Sequence, residues 1–175
     1  MKNPRPKFTR ALKSSPTVVM LLAIFALRSL LFAGENSNLR WHNFNEGITE
    51  AKKTNKKVLI DVYTDWCGWC KKMDASTYSD KEVTEYLGER YVLIKLNAES
   101  EKKLSYKDKQ YTERELAAAF GISGYPSTLF LKSDGEPITI YPGFADAKRF
   151  KDVLSFIAED HYLTKKFQDY VTNKN

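Results

Sequence analysis

The feature that most constrains this chain is a pair of short, nearly all-apolar runs, Val58–Tyr63 (VLIDVY) and Tyr91–Leu96 (YVLIKL). Both are rich in β-formers, and neither alternates apolar with polar residues. Runs of this kind are strands buried on both faces, so a layer of helices is needed on each side of the sheet. The flanking sequence supplies those layers. Phe44, Ile48 and Ala51 share a helical face that ends at the basic run 52–57. A helix should begin at Cys67, and Ser79-x-x-Glu82 is a capping-box candidate for another over 80–88. Thr112-x-x-Glu115 opens a helix through Phe120 that Gly121 terminates. Residues 127–132 form a strand, 133–136 a turn and 138–141 its antiparallel partner. Phe150, Val153, Leu154 and Ile157 follow at i, i+3, i+4, i+7, which predicts an amphipathic helix over 146–160. The polar stretch 97–111 reads as a surface loop, and 161–175 as a short helix or a frayed tail. The order βα, βα, hairpin, helix predicts an α/β fold with a central mixed sheet and helices on both faces.

Charge separates the chain into parts. Of 175 residues, 28 are Lys or Arg and 22 are Asp or Glu, a formal net charge of +6. Residues 1–33 hold Lys2, Arg5, Lys7, Arg10, Lys13 and Arg28 and no acid, so 34–175 carries 22 charges of each sign. The excess belongs to the leader, and a nucleic-acid partner is not expected. That leader has a basic start, an apolar stretch at Val18–Leu27 and small residues at Ala33 and Gly34, the pattern of a secretory signal peptide. Arg28 breaks the apolar run, which favours a cleaved signal over a membrane span; an uncleaved anchor is the alternative. The expected organisation is a leader at 1–33, one domain at 34–162 and a polar tail at 163–175. Export to the periplasm or beyond follows, with membrane anchoring if the leader stays attached.

The chemistry concentrates in Trp66-Cys67-Gly68-Trp69-Cys70, directly after the first buried strand. Two cysteines at i and i+3 in the first turn of a helix lie on one face, within reach of a reversible disulfide. Cys67 stands where unpaired N–H groups and the helix dipole favour an anion, so its thiolate is stabilised. Thiols so placed titrate between about 3.5 and 7.5, against about 8.5 for a free thiol. Cys70, deeper in the helix, should be more buried, which makes Cys67 the attacking sulfur and Cys70 the resolving one. A zinc site would need four ligands, and only His42 and His161 remain to join the cysteines. Covalent haem attachment needs His after the second Cys, where Lys71 stands. A purely structural disulfide is the alternative, but closing so short a loop constrains little of the unfolded chain. Asp61, in an otherwise apolar strand, is a buried carboxylate whose pKa should rise.

The stretch from Lys57 to His161 resembles thioredoxin, and more closely the secreted thioredoxin-like proteins. Cys67-Gly68-Trp69-Cys70 is similar to the family's active site, with Trp69 where Pro is usual. The resemblance implies the thioredoxin fold and a catalytic Cys67–Cys70 pair that needs no dissociable cofactor. By the same resemblance Asp61 assists deprotonation of Cys70, and Lys95 modulates Asp61. Read from the residues alone, Lys95 is equally a strand lysine with its head in solvent. Tyr125-Pro126 resembles the family's cis-proline, whose preceding backbone pairs with a substrate peptide. Trp66, Gly68 and Trp69 would complete the substrate rim, although Trp66 could equally pack against the sheet. Gly143-Phe144 is similar to the family's glycine-containing loop beside the site.

These readings converge on a monomeric thiol:disulfide oxidoreductase that acts on thiol- or disulfide-containing proteins. Gly68-Trp69 lacks a thiolate-stabilising histidine, and only 56 positions separate Cys70 from Pro126, too few for the helical insertion of the periplasmic oxidases. No dimerisation domain is read ahead of the motif, which also disfavours an isomerase. A reductase supplied by a membrane electron donor is therefore expected. The rival is a redox-inert peptide-binding module of the same fold, or an oxidase or isomerase.

Overall fold

The computed structural model describes residues 39–174; the expected leader at 1–33 lies outside them. Its main sheet is built from β1 (Trp41–His42), β2 (Lys57–Tyr63), β3 (Tyr91–Asn97), β6 (Ser127–Leu131) and β7 (Pro137–Pro142). These five strands lie in the order β1-β3-β2-β6-β7. β1 and β2 run parallel to β3, whereas β6 pairs antiparallel with both β2 and β7. The mixed sheet flanked by helices is the expected one, and the two apolar runs are its central strands.

Period-two alternation divides the core. Val58, Ile60 and Val62, with Val92, Ile94 and Leu96, face α1 (Phe44–Thr54) and α4 (Glu113–Ala119). Leu59 and Leu93, with Tyr91 and Phe130, face α2 (Gly68–Ser76), α3 (Lys81–Arg90) and α5 (Ala147–Ala158). Asp61 lies on this second face, 2% exposed, as the polar interruption of an apolar layer. Gly47 is where α1 meets β3: a Cβ there would stand 2.3 Å from Ile94 Cγ1, so only glycine permits the approach.

Two expectations change, and a third that stands open is decided. Asp80, not Ser79, caps α3: its side chain accepts from Val83 N at 3.1 Å, while Ser79 donates back to the Ala75 carbonyl. Lys81 is the first helical residue, so the anticipated box is one position out of register. The segment 97–111 is not simply a loop, because β4 (Lys103–Tyr106) and β5 (Lys109–Thr112) form a hairpin. Its turn uses Lys107 and Asp108 at positive φ, a conformation usually signalled by Gly or Asn. Buried Leu104 and half-buried Tyr106 and Tyr111 fasten it to the first core. Of the two readings of the C-terminal stretch, the structure has the helix. α6 (Phe167–Thr172) packs Phe167 and Tyr170 on Phe156, with ring centroids 5.2 and 5.4 Å apart. The Thr112–Glu115 capping box of α4 is present as expected, both hydrogen bonds included. Among the described residues, no helix is long and apolar enough to cross a membrane.

Candidate active site

Strand register carries every expected site residue to one end of the sheet. Val62 near the end of β2 pairs with Ser127 at the start of β6, and Ser127 pairs with Pro142 at the end of β7. Tyr63 pairs with Asn97 at the end of β3. The segments 64–67, 97–99, 125–126 and 143–144 therefore share that end, the open side of the sheet where catalytic loops gather.

Cys67 is the N-cap of α2, and its sulfur accepts the Cys70 N–H at 3.0 Å. The two cysteines form a disulfide with their Cα atoms 5.3 Å apart. A backbone donor aimed at Cys67 Sγ, added to the helix dipole, stabilises a thiolate there once the bridge opens. Both cysteines are 4% exposed, so Cys70 is not the more buried in this state. The bridge and the N-cap contact draw the Cys67 sulfur in against the helix start. Gly68 adds no side chain beside them, and a Cβ there would meet nothing within 4 Å.

Trp66 and Trp69 are 67% and 57% exposed, which settles the placement of Trp66 outside the core. Trp66 donates its indole N–H to Glu99 at 2.9 Å and meets the Tyr125 ring edge-on at 6.1 Å. Trp69 packs on Phe144 at 5.4 Å, with the Lys72 ammonium 4.8 Å above its ring. The Tyr125-Pro126 bond is cis. Pro126 is buried and its carbonyl accepts from Gly143 N at 2.8 Å, which ties the glycine loop to the site. Tyr125 stands outside the ladder, whose first residue on β6 is Ser127. Two aromatic walls therefore flank the disulfide, Trp66 with Tyr125 and Trp69 with Phe144.

Beneath α2, Lys95 contacts Asp61 directly and also holds Asp74 at 2.6 Å. Asp74 lies four residues beyond Cys70, one helical turn along α2. The Lys95 ammonium is ringed by Trp41, Tyr63 and Tyr78 at 4.8 to 5.5 Å. Burial pushes the Asp61 carboxyl above its usual range despite Lys95, which pulls the other way. For Lys95 itself, burial opposes the charge, but Asp61 and Asp74 outweigh it and raise the ammonium pKa. Sequence reasoning did not find Asp74, Tyr78 or Glu99. The i, i+4 spacing of Cys70 and Asp74 was the one available signal, and the Lys95 contact that gives it meaning is tertiary. His42 and His161 do not join the cysteines: His42 is in β1, and His161 pairs with Glu159 and stacks on Tyr170. Among the described residues, no group of three His, Cys, Asp or Glu is placed to hold a metal ion.

Comparison with known proteins agrees with this geometry. The family model of the thioredoxin-like domain matches residues 44–158. The chain is 31% identical over 119 residues to the thiol:disulfide interchange protein DsbD of Photorhabdus laumondii, covering 67% of this chain and 19% of that protein. It is 23% identical over 103 residues to the disulfide bond reductase DsbH of Chlamydia pneumoniae, covering 58% and 61%. The chain thus spans about a fifth of the DsbD relative and about three fifths of DsbH. Among solved structures, a DsbH oxidoreductase superposes with a TM-score of 0.57 at 19% identity, covering 77% of this chain and 98% of that one. A Thermus thermophilus thioredoxin superposes at 0.56 with 22% identity, covering 68% and 86%. At these identities the superpositions speak for the fold alone, while the domain match extends over more than half of the chain. The protein belongs to the thioredoxin-like domain family, with relatives named for thiol:disulfide interchange and disulfide reduction.

Proposed function

We propose that the chain is an exported thiol:disulfide oxidoreductase that reduces disulfides in partner proteins through Cys67 and Cys70. The observation that carries this reading is the disulfide at the start of α2, with Cys67 Sγ accepting the Cys70 N–H. In the reduced protein, Cys67 thiolate attacks one sulfur of a partner disulfide. A mixed disulfide forms and the partner's other sulfur leaves as a thiolate. Cys70 then gives its proton to Asp61 and attacks Cys67 Sγ, which re-forms the bridge and releases the partner's second thiolate. Two electrons pass from the cysteine pair to the partner; the proton on Asp61 returns to the released thiolate or to water. Lys95 holds Asp61 in place for this step, and Asp61 is the base.

Tyr125 and Pro126 would present backbone to the partner in β fashion, while Trp66, Gly68 and Trp69 form the contact rim. The electrons lost in each turnover would be restored by a membrane donor, to a monomer exported by the leader or anchored by it. The names of DsbD and DsbH support this reading. The alternative is a redox-inert peptide-binding module with a structural bridge.

A dithiothreitol or glutathione series read by thiol alkylation tests it. A reductase should fall near the reducing end of a range running from about −270 to about −120 mV. Cys67→Ser should abolish disulfide reduction, and Cys70→Ser should accumulate mixed disulfides with partners. A potential far below about −300 mV, with no reduction of protein disulfides, would establish the inert module instead.

A further inference from the structure

Four side-chain oxygens among the described residues are buried without a hydrogen-bond partner: Asp61 Oδ1, Thr64 Oγ1, the Tyr78 hydroxyl and Thr128 Oγ1. Three of them meet at one carboxyl. Asp61 is the register partner of Thr128 on β6 and of Lys95 on β3. Tyr78 enters from the segment after α2 and is 6% exposed, with its ring edge-on to Trp41 and Phe150. The Lys95 ammonium that contacts Asp61 also lies 5.5 Å from the centre of the Tyr78 ring, which sets the phenol beside that carboxyl. Lys95 holds Asp61 Oδ2. Oδ1 is the oxygen left to the hydroxyls.

A buried hydroxyl without a partner is costly, so two beside a buried acid call for a reason. Proton exchange provides one. A carboxyl that gains and loses a proton needs a donor while ionised and an acceptor while protonated. A hydroxyl can be either. A phenol that stops donating to Asp61 needs somewhere to place its own O–H, and Thr128 Oγ1 is there to accept it.

Resting on the oxidoreductase reading, we propose that Tyr78 is a positioning residue for the proton that Cys70 gives up, with Thr128 as its second partner. While Asp61 is ionised, Tyr78 donates to Oδ1. When the Cys70 proton arrives on Oδ1, that O–H donates to Tyr78, and the phenol turns its own O–H to Thr128. No atom is gained or lost in the turn. The charged and titratable groups around Asp61 are Lys95 from β3, Asp74 from α2, Tyr78 after α2 and Tyr63 on its own strand.

A hydrogen bond to an ionised carboxylate is roughly twice as strong as one between neutral groups. Removing the phenol hydroxyl therefore favours the protonated acid. In the full chain, Tyr78→Phe should raise the Asp61 titration midpoint, read by carboxyl carbon-13 NMR of the reduced protein, by on the order of half to one pH unit. The acid limb of mixed-disulfide resolution, with glutathione on Cys67, should move up by the same amount. Thr128→Val, which removes the acceptor the phenol uses only while Asp61 is protonated, should lower both midpoints by a smaller amount, and it carries the test if Tyr78→Phe fails to fold. A merely structural Tyr78 would lower the melting temperature and leave both midpoints in place. Unmoved midpoints, a lowered one in Tyr78→Phe or a raised one in Thr128→Val overturn the proposal. A moved carboxyl midpoint in a protein that never resolves a mixed disulfide would refute the oxidoreductase reading and leave the coupling of Tyr78 to Asp61 standing.

Discussion

Replacing Asp61 by Asn removes a charge from the core while keeping the shape of the side chain. Two effects compete over that charge. Taking an ion out of water costs several kcal/mol even after relaxation, whereas the neighbouring ammonium attracts it. Lys95 is 24% exposed and shared with Asp74, so its attraction is divided and partly screened, while Asp61 is only 2% exposed. Desolvation wins, and the folded carboxyl titrates above its ordinary value of 3.8. Between 3.8 and the folded midpoint, the folded protein therefore holds a proton that the unfolded chain has released. The stability contributed by this group is complete below 3.8 and is lost as pH rises through the folded midpoint. The loss proceeds at up to about 1.4 kcal/mol per pH unit. Lys95, whose pKa is raised above 10.5, holds its proton in both states over this window and adds no slope.

Urea melts of the oxidised protein and of Asp61→Asn, taken from pH 3 to 9 (roughly the window in which one carboxyl alone distinguishes them), check the argument. The variant should gain on the parent through the acid range, hold its advantage to neutral pH, and melt higher there. Parallel curves would refute the account. So would a parent that gains on the variant as pH rises, because the Lys95 contact would then outweigh burial.

Other expectations test the frame and the rim. Gly47→Ala should destabilise by about 1–3 kcal/mol through overpacking against Ile94, and Ile94→Ala in the same chain should not add its full cost, as a double-mutant cycle of melts would read. Asp80→Ala should cost about 0.5–2 kcal/mol in denaturant melts, while Ser79→Ala stays near zero, because only Asp80 caps α3. Trp69→Ala should raise KM for a protein disulfide by about tenfold, the equivalent of about 1.4 kcal/mol of lost contact. Reduction of a small aromatic disulfide should change little, and so should the melting temperature, since Trp69 is mostly in solvent.

Local signals read well wherever the physics is local. Caps, helical spacing and the Ser133–Glu136 turn act within a few residues, and the elements they predict are present with ends displaced by one or two positions. The misreadings have local causes as well. Ser79 and Asp80 are both competent caps side by side, and only the first helical φ/ψ chooses between them. The 103–112 hairpin turns on Lys107 and Asp108, both at positive φ, and a lysine at the first of these positions does not advertise that conformation. At the C-terminal end, Phe167 and Tyr170 have helical spacing in a segment too short to hold a helix by itself. Their packing on Phe156 of α5 decides between helix and tail.

Three properties of this protein follow from the order of its residues: two strands buried on both faces, a cysteine pair opening the helix after the first of them, and a carboxyl within that strand. Periodicity, capping and burial cost suffice for each, and none requires knowledge of a neighbour. Which groups answer that carboxyl is settled by the folded arrangement alone. Register set Lys95 and Thr128 on either side of Asp61, and packing brought Asp74 and Tyr78 to the same patch from α2 and beyond. The same register assembled the two aromatic walls from three chain segments. Electrostatic and hydrogen-bonding partners act through space over a few ångströms, and residues up to 67 positions from Asp61 come within that range only when the sheet has formed.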